Sequence, residues 1–185
     1  MHMNRIGLVG KNGSGKTSVC EYLVQKHGFK AFSLSDVLRN HFKKKSQEAT
    51  RDALTTYSNK LKAQQGPACL AIECLKLANK NSSNQALVFD SIRHPDEVDY
   101  LKKNGVRMCY IDVDINTRYQ RILNRQRATD LIDFETFKQH DQRESNGNSS
   151  GQNINECIRL CDYVIKNNTS QLALQNEIDH LLSKL

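Results

Sequence analysis

Eight residues near the amino terminus, Gly10-Lys11-Asn12-Gly13-Ser14-Gly15-Lys16-Thr17, set glycines, a lysine and a hydroxyl at the spacing G-x-x-x-x-G-K-[ST]. That spacing suits polyphosphate binding. The glycines let the backbone turn tightly and aim successive N–H groups at phosphate oxygens, and a helix starting at the end of the loop adds its positive terminus. Lys16 is placed to reach the β- and γ-phosphates as a mobile point charge, and the Thr17 hydroxyl to ligate magnesium.

Two further groups of residues have chemistry to offer. In Val88-Phe89-Asp90-Ser91-Ile92-Arg93-His94-Pro95, an acid and an arginine follow an apolar run. Ligands of parallel sheets sit beyond the carboxyl ends of strands, which leaves two readings open. Either Asp90 faces the magnesium near Thr17, directly or through water, and Arg93 grips a second substrate, or Asp90 caps a turn and Arg93 pairs with Glu97 at the surface. Asp96 and Glu97 read as first-turn helix acids. The segment NTRYQRILNRQRATD carries Arg118, Arg121, Arg125 and Arg127. The first three lie within one helical face and Tyr119, Ile122 and Leu123 on another, so the basic side is expected to point away from the core. Phosphoryl transfer spreads negative charge over its oxygens, and guanidinium groups brought in by a closing segment stabilise that charge. Arg125 and Arg127 are the candidates. Asp141 and Arg143 either complete that segment or belong to an ordinary exposed helix.

These residues need a scaffold. Arg5 to Val9 reads as a buried strand and Thr17 to Lys26 as a helix, with Val19, Tyr22 and Leu23 at helical spacing. Strand and helix signals then alternate, as in a parallel sheet covered on both faces. Phe29 to Leu34, Ala86 to Asp90, Val106 to Val113 and Tyr163 to Lys166 are the remaining strands. Ser35 and Thr50 are expected to cap helices, Gly66-Pro67 to break one, Pro95 to open one and Gly105 to end it. The closing helix carries Leu174, Ile178, Leu181 and Leu185 on one side. The polar loop Ser145 to Asn153 is too short to separate domains.

A chain of 185 residues with 38% hydrophobic content suits one compact domain. Its six cysteines form no CxxC pair and fall within helix or strand patterns, as reduced, packed thiols do. Cys157 and Cys161 could share a helix face as metal ligands, but core packing is the preferred reading. No stretch matches a membrane span, and the first residues are too short and polar for a signal peptide, so a soluble protein of the cytoplasm or another reducing compartment is expected. The net charge of +7 leaves nucleic acid open. Yet Arg39 to Lys45 interleaves only His41 and Phe42 for base stacking, and its lysines read as a solvated helix face.

Taken together, GKNGSGKT, FSLSDVLR, VFDSIRHPDEV, RYQRILNRQR, FETFKQHDQRE and CDYVIKNNTSQLALQNEI resemble the P-loop nucleoside monophosphate kinase superfamily over nearly the whole chain. The resemblance is nearest to small adenylate-kinase-like and dephospho-coenzyme-A-kinase-like members, and to the kinase-like domain joined to some deoxycytidylate deaminases. It implies a three-layer α/β/α fold with a five-stranded parallel sheet in a single domain over residues 1–185, with an acceptor-binding helical segment at about 35–80 and a small lid at about 118–145. It implies ATP and Mg2+ as cofactors, held by Gly10, Lys11, Asn12, Gly13, Ser14, Gly15, Lys16 and Thr17. Arg121 corresponds to a lid arginine on ATP, and Asn167, Asn168 and Thr169 to the loop that touches adenine. Asp36 and Arg39 fall at the acceptor site, with Asp90 and Arg93 on its opposite wall. Adenylate kinases place a glycine after the acid and a proline before the arginine; here Ser91 and Ile92 intervene. The chain lacks the zinc signature H-x-E and P-C-x-x-C, so no deaminase activity is inferred.

The expected activity is transfer of the γ-phosphate of Mg-ATP to a nucleoside or deoxynucleoside monophosphate, for which Arg39 and Arg93 are suitable clamps. A hydroxyl acceptor, with Asp36 as the base, is the alternative. A nucleotide-sensing module that signals to a protein partner with little turnover is another, because fold alone does not fix activity. A nucleic-acid-binding role ranks below these.

Overall fold

A computed structural model describes residues 4–82, 84–125, 132–147 and 152–185. Its centre is a sheet of strands β1 (Arg5–Val9), β2 (Lys30–Ser33), β3 (Leu87–Asp90), β4 (Arg107–Asp112) and β5 (Tyr163–Lys166). All pairings are parallel and the order is β2-β3-β1-β4-β5. The three inner strands are covered on both faces, so IGLV, LVF and much of RMCYID read as apolar runs rather than alternating ones.

On one face, α1 (Lys16–His27) and α9 (Gln171–Leu182) bury Val19, Leu23, Leu174 and Ile178 against Ile6, Leu8 and Ile111. On the other, α2 (Leu34–Lys44), α4 (Cys69–Asn81), α5 (Pro95–Lys103) and α8 (Ile154–Arg159) pack around Phe89, Met108 and Val9. The expected three layers are therefore present. Helix α3 (Arg51–Gln65) lies outside α2 and α4, and α6 (Ile115–Asn124) pairs with α7 (Phe134–Ser145) near the loop after β1. The chain leaves β1 for one face and β3 for the other, which opens a crevice at their carboxyl ends.

Local chemistry sets the element ends. Thr50 caps α3 by accepting the Ala53 amide at 3.2 Å, and Gly66, at φ 90°, stops it. Pro95 opens α5 behind His94, whose side chain and Glu97 form a reciprocal cap. Gly105 follows that helix at φ 79°. The expected cap at Ser35 is displaced: α2 begins at Leu34, and Ser33 holds the cap position without a side-chain cap bond. The Ser33 hydroxyl is used elsewhere, 2.9 Å from both the Ser35 and Ser91 hydroxyls, and so ties the end of β2 to the turn after β3. The cysteines are packed as expected, with Cys69, Cys74, Cys109 and Cys157 buried. The Cys161 thiol donates to the Cys157 carbonyl at 3.3 Å. Burial pushes the Cys74 and Cys109 thiols up to about 12. Among the described residues, no helix is long and apolar enough to cross a membrane.

Candidate functional site

The glycine-rich loop spans the step from β1 to α1, and its shape shows why glycine is needed. Gly13 and Gly15 sit at φ 81° and 87°, a region that costs an L side chain about 1–2 kcal/mol. A Cβ on Gly13 would stand 2.6 Å from the Arg118 carbonyl oxygen, and one on Gly15 would strike the Asn167 side-chain amide. The first amides of α1 have no helical acceptors, so the loop ends in a cluster of N–H groups at a positive helix terminus.

Lys16 folds back over this loop, and its Nζ donates to the Gly10 carbonyl at 2.6 Å and the Lys11 carbonyl at 3.1 Å. Burial lowers its pKa to about 8; nearby Asp90 opposes that shift, and Arg93 adds to it. Asp90 therefore lies close enough to be felt by Lys16, as expected of an acid at the end of the strand beside the loop. One Asp90 carboxylate oxygen, Oδ1, is buried without a hydrogen-bond partner. The Ser14 Oγ and the Arg121 Nη1 are buried and unpartnered too. An acceptor and two donors, all close to the loop, carry an unmet demand that costs about 1–3 kcal/mol each. A polyphosphate with a divalent cation supplies the missing partners in kind: acceptor oxygens for Ser14 and Arg121, positive charge for Asp90. These orphaned groups are thus of the kinds that Mg-ATP would satisfy.

A cleft of about 460 Å³ opens beside the loop. Lys16, Arg39, Arg93 and Arg125 reach its lining from α1, α2, the β3–α5 turn and the end of α6. The helix α3 contributes Thr55, Ser58, Asn59 and Lys62, spaced so that one helical face is turned to the cavity. Asp36 does not line it. Its carboxylate is 60% exposed and stands 3.9 Å from Arg39 on the outer surface of α2. The Arg93 guanidinium donates to the Gln152 side chain at 2.9 Å and lies 3.9 Å from Glu144, so of the two readings left open for it, the surface pair with Glu97 is not the one that forms.

Glu97 serves another purpose. Its Oε2 accepts the Arg93 and His94 amides at 2.9 and 3.1 Å, and its Oε1 meets the Lys62 Nζ at 3.1 Å, with Lys62 and Glu97 only 5% and 1% exposed. Glu97 is the first-turn acid that the sequence predicts, and it is also half of a buried ion pair that fixes the Arg93 turn against α3.

The arginine segment divides. Arg125 reaches the cleft, its Nη2 3.3 Å from the Asn12 side-chain oxygen. Arg121 donates to the Asn167 carbonyl at 2.8 Å, beside the loop. Arg127 lies outside the described residues. Arg118 departs from the expected basic outer face: it is 3% exposed and forms a two-pronged pair with Asp141 at 2.7 and 3.1 Å. In sequence it falls in with the other arginines, although its i+4 partner Ile122 is buried and Asp141 is itself one turn from buried Phe137. Those spacings were the available signal. Asn167 is buried, donating from its side chain to the Ser14 carbonyl at 2.9 Å, and the Asn168 side chain accepts the Asp114 amide at 2.9 Å. This β5–α9 loop buttresses the glycine-rich loop. Thr169 lies in the same loop, before α9.

A family model described as an AAA domain matches residues 6–154. A UPF0200 protein of Methanocaldococcus jannaschii is 30% identical over 182 residues, 97% of this chain and 89% of that protein. Another, of Pyrococcus furiosus, is 30% identical over 183 residues, 96% and 95% of the two chains. Among solved structures, shikimate kinase from Acinetobacter baumannii in complex with shikimate superposes with a TM-score of 0.60 at 17% identity, covering 99% of this chain and 93% of that one. Shikimate kinase from Bacteroides thetaiotaomicron gives 0.63 at 13% identity, with 99% of each chain covered. At these identities the structural likeness is one of fold, that of the small P-loop kinases.

Proposed function

Since the chain belongs to the AAA-domain family and to the UPF0200 family, on a fold suited to nucleotide binding and phosphoryl transfer, we propose that it moves the γ-phosphate of Mg-ATP to a nucleoside or deoxynucleoside monophosphate. The observation that carries this reading is the convergence of Lys16, Arg39, Arg93 and Arg125, from four separate segments, on one cleft beside the glycine-rich loop. Bound Mg-ATP supplies the transferable phosphoryl group. The loop amides and Lys16 hold its phosphates, with the Lys16 amine exchanging the Gly10 and Lys11 carbonyls for phosphate oxygens. Arg39 and Arg93 clamp the acceptor phosphate, and Arg125 faces the space between donor and acceptor. In that enclosure fixed positive charge stabilises the oxygens of the transferring group without water having to reorganise.

The carboxylates favour a phosphate acceptor over a hydroxyl. A hydroxyl needs a base within hydrogen-bond reach, whereas a phosphate is already a nucleophile. Of the acids lining the cleft, Glu97 is committed to Lys62 and two amides, and Glu144 lies beside Arg93. Asp36, the base that the hydroxyl reading needs, is not among the lining residues. The test is ADP formation by wild type and Lys16→Ala with each monophosphate. We expect acceptor-dependent turnover in the wild type and at least a roughly hundredfold loss in a folded variant. A fully active Lys16→Ala protein contradicts the proposal. Mg-ATP binding without turnover assigns the chain to a sensing role.

A further inference from the structure

The tip of the glycine-rich loop rests on a buried ion pair that lies outside it. Arg118 projects from α6 and donates from Nη1 to the Asn12 carbonyl at 3.2 Å and from Nε to the Val113 carbonyl at 3.2 Å. Both prongs of its guanidinium meet Asp141 on α7, and its Cζ lies 5.6 Å from the Phe137 ring centre. The Lys11 ammonium stands 3.4 Å from the same carboxylate. Gly13 lies directly against the Arg118 backbone, which a Cβ at that position would strike. Three consecutive loop residues, Lys11, Asn12 and Gly13, are thus braced by one arginine and the acid that fixes it.

We infer that Arg118 and Asp141 are positioning residues for nucleotide binding: Asp141 aims Arg118, and Arg118 holds the Asn12 carbonyl outward so that the loop amides face the phosphates. The pair reaches the nucleotide only through the loop. Side chains of 4% and 8% exposure are expensive places for charge. Buried pairs of this kind are often replaceable by apolar residues without loss of stability, which makes a fixed loop shape the more telling reason for this one. Two cations around one carboxylate also leave net positive charge beside the loop tip.

The inference rests on the nucleotide-binding reading, and the experiment separates the two. Mg-ADP binding is measured by calorimetry, with thermal denaturation in parallel, for wild type, Asp141→Asn, the double variant Arg118→Met/Asp141→Leu, and Leu181→Ala on the opposite face. The double variant packs apolar chains on Phe137 and is expected to melt near the wild-type temperature while binding Mg-ADP at least roughly tenfold more weakly. Leu181→Ala is expected to melt lower and bind as wild type does, so loss of stability alone does not mimic the effect. Asp141→Asn is expected to weaken binding by a similar factor; if it does not fold, the double variant decides. A folded double variant that binds within about twofold of wild type overturns the inference. A wild type that binds no Mg-ADP overturns the nucleotide reading and this one with it.

Discussion

Lys16 gives the most quantitative prediction. Burial holds its pKa at about 8 in the free protein, with Asp90 only partly offsetting the cost. A phosphate brought against the ammonium favours the charged form, so the nucleotide complex holds this proton to higher pH than the free protein does. Affinity must then fall as pH rises through the free-state value, approaching tenfold per unit. At about pH 7 roughly nine-tenths of free Lys16 is charged, and at about pH 9 roughly one-tenth, so Mg-ADP binding weakens by roughly tenfold between them. The ADP phosphates are already ionised, and burial pushes the Cys20 thiol up to about 11. The assay is calorimetry at constant ionic strength across that range, with Lys16→Met as the comparison. That variant should bind weakly with little pH dependence. Wild-type affinity that stays flat to about pH 9.5, or a decline that persists in Lys16→Met, refutes the reasoning. Stability of the free protein runs the other way. A lysine with a depressed folded pKa penalises folding below about 8, and the penalty, at most about 3 kcal/mol, is relieved as pH rises from there toward 10.5.

Three substitutions probe other parts of the account. Arg93→Ala removes a charge-assisted bond to the acceptor, which at about 1.5–3 kcal/mol raises acceptor KM roughly ten- to 150-fold, with the KM for ATP within about twofold; equal effects on both contradict the assignment. Lys62→Met leaves the buried Glu97 carboxylate without its cation and should cost about 3–5 kcal/mol in denaturant unfolding, and a loss under about 1 kcal/mol argues against a structural ion pair. Gly13→Ala combines a φ of 81° with a clash against the Arg118 carbonyl and should weaken Mg-ADP binding more than roughly tenfold, whereas Gly28→Ala, at φ 67° with open space around it, should cost only about 1–2 kcal/mol of stability and leave binding intact.

The parts of the molecule legible in sequence are those in which local backbone chemistry decides the outcome. The glycine-rich loop needs φ above zero at Gly13 and Gly15, so its spacing is visible in one line of sequence. The three inner strands are apolar on both faces, and the edge strand Tyr163–Lys166 is found where the pattern puts it. Pro95 and Thr50 mark helix starts by the hydrogen bonds they cannot or can make. What sequence hides is pairing across distance. Arg118 and Asp141 are 23 residues apart on different helices, and their spacing to buried Ile122 and Phe137 is the one local hint that they are buried, with none that they are paired. Lys62 and Glu97 join α3 to α5 in the same way. Ser33, not Ser35, stands at the start of α2, and its hydroxyl bridges to Ser91, a contact that exists only once β2 and β3 are side by side. Asp36 is 60% exposed and paired with Arg39 at 3.9 Å, and of the two only Arg39 lines the cleft, a distinction that motif matching does not make.

The central claim is acceptor-dependent phosphoryl transfer at the cleft beside Lys16, and the most direct measurement follows the label of γ-labelled Mg-ATP in the presence of each ribo- and deoxyribonucleoside monophosphate, dephospho-coenzyme A, or no acceptor. The account predicts label in a nucleoside diphosphate from one acceptor or a narrow set of them, abolished by Lys16→Ala. Label found only in inorganic phosphate at the same rate with and without acceptor, or transferred equally well by Lys16→Ala, contradicts it.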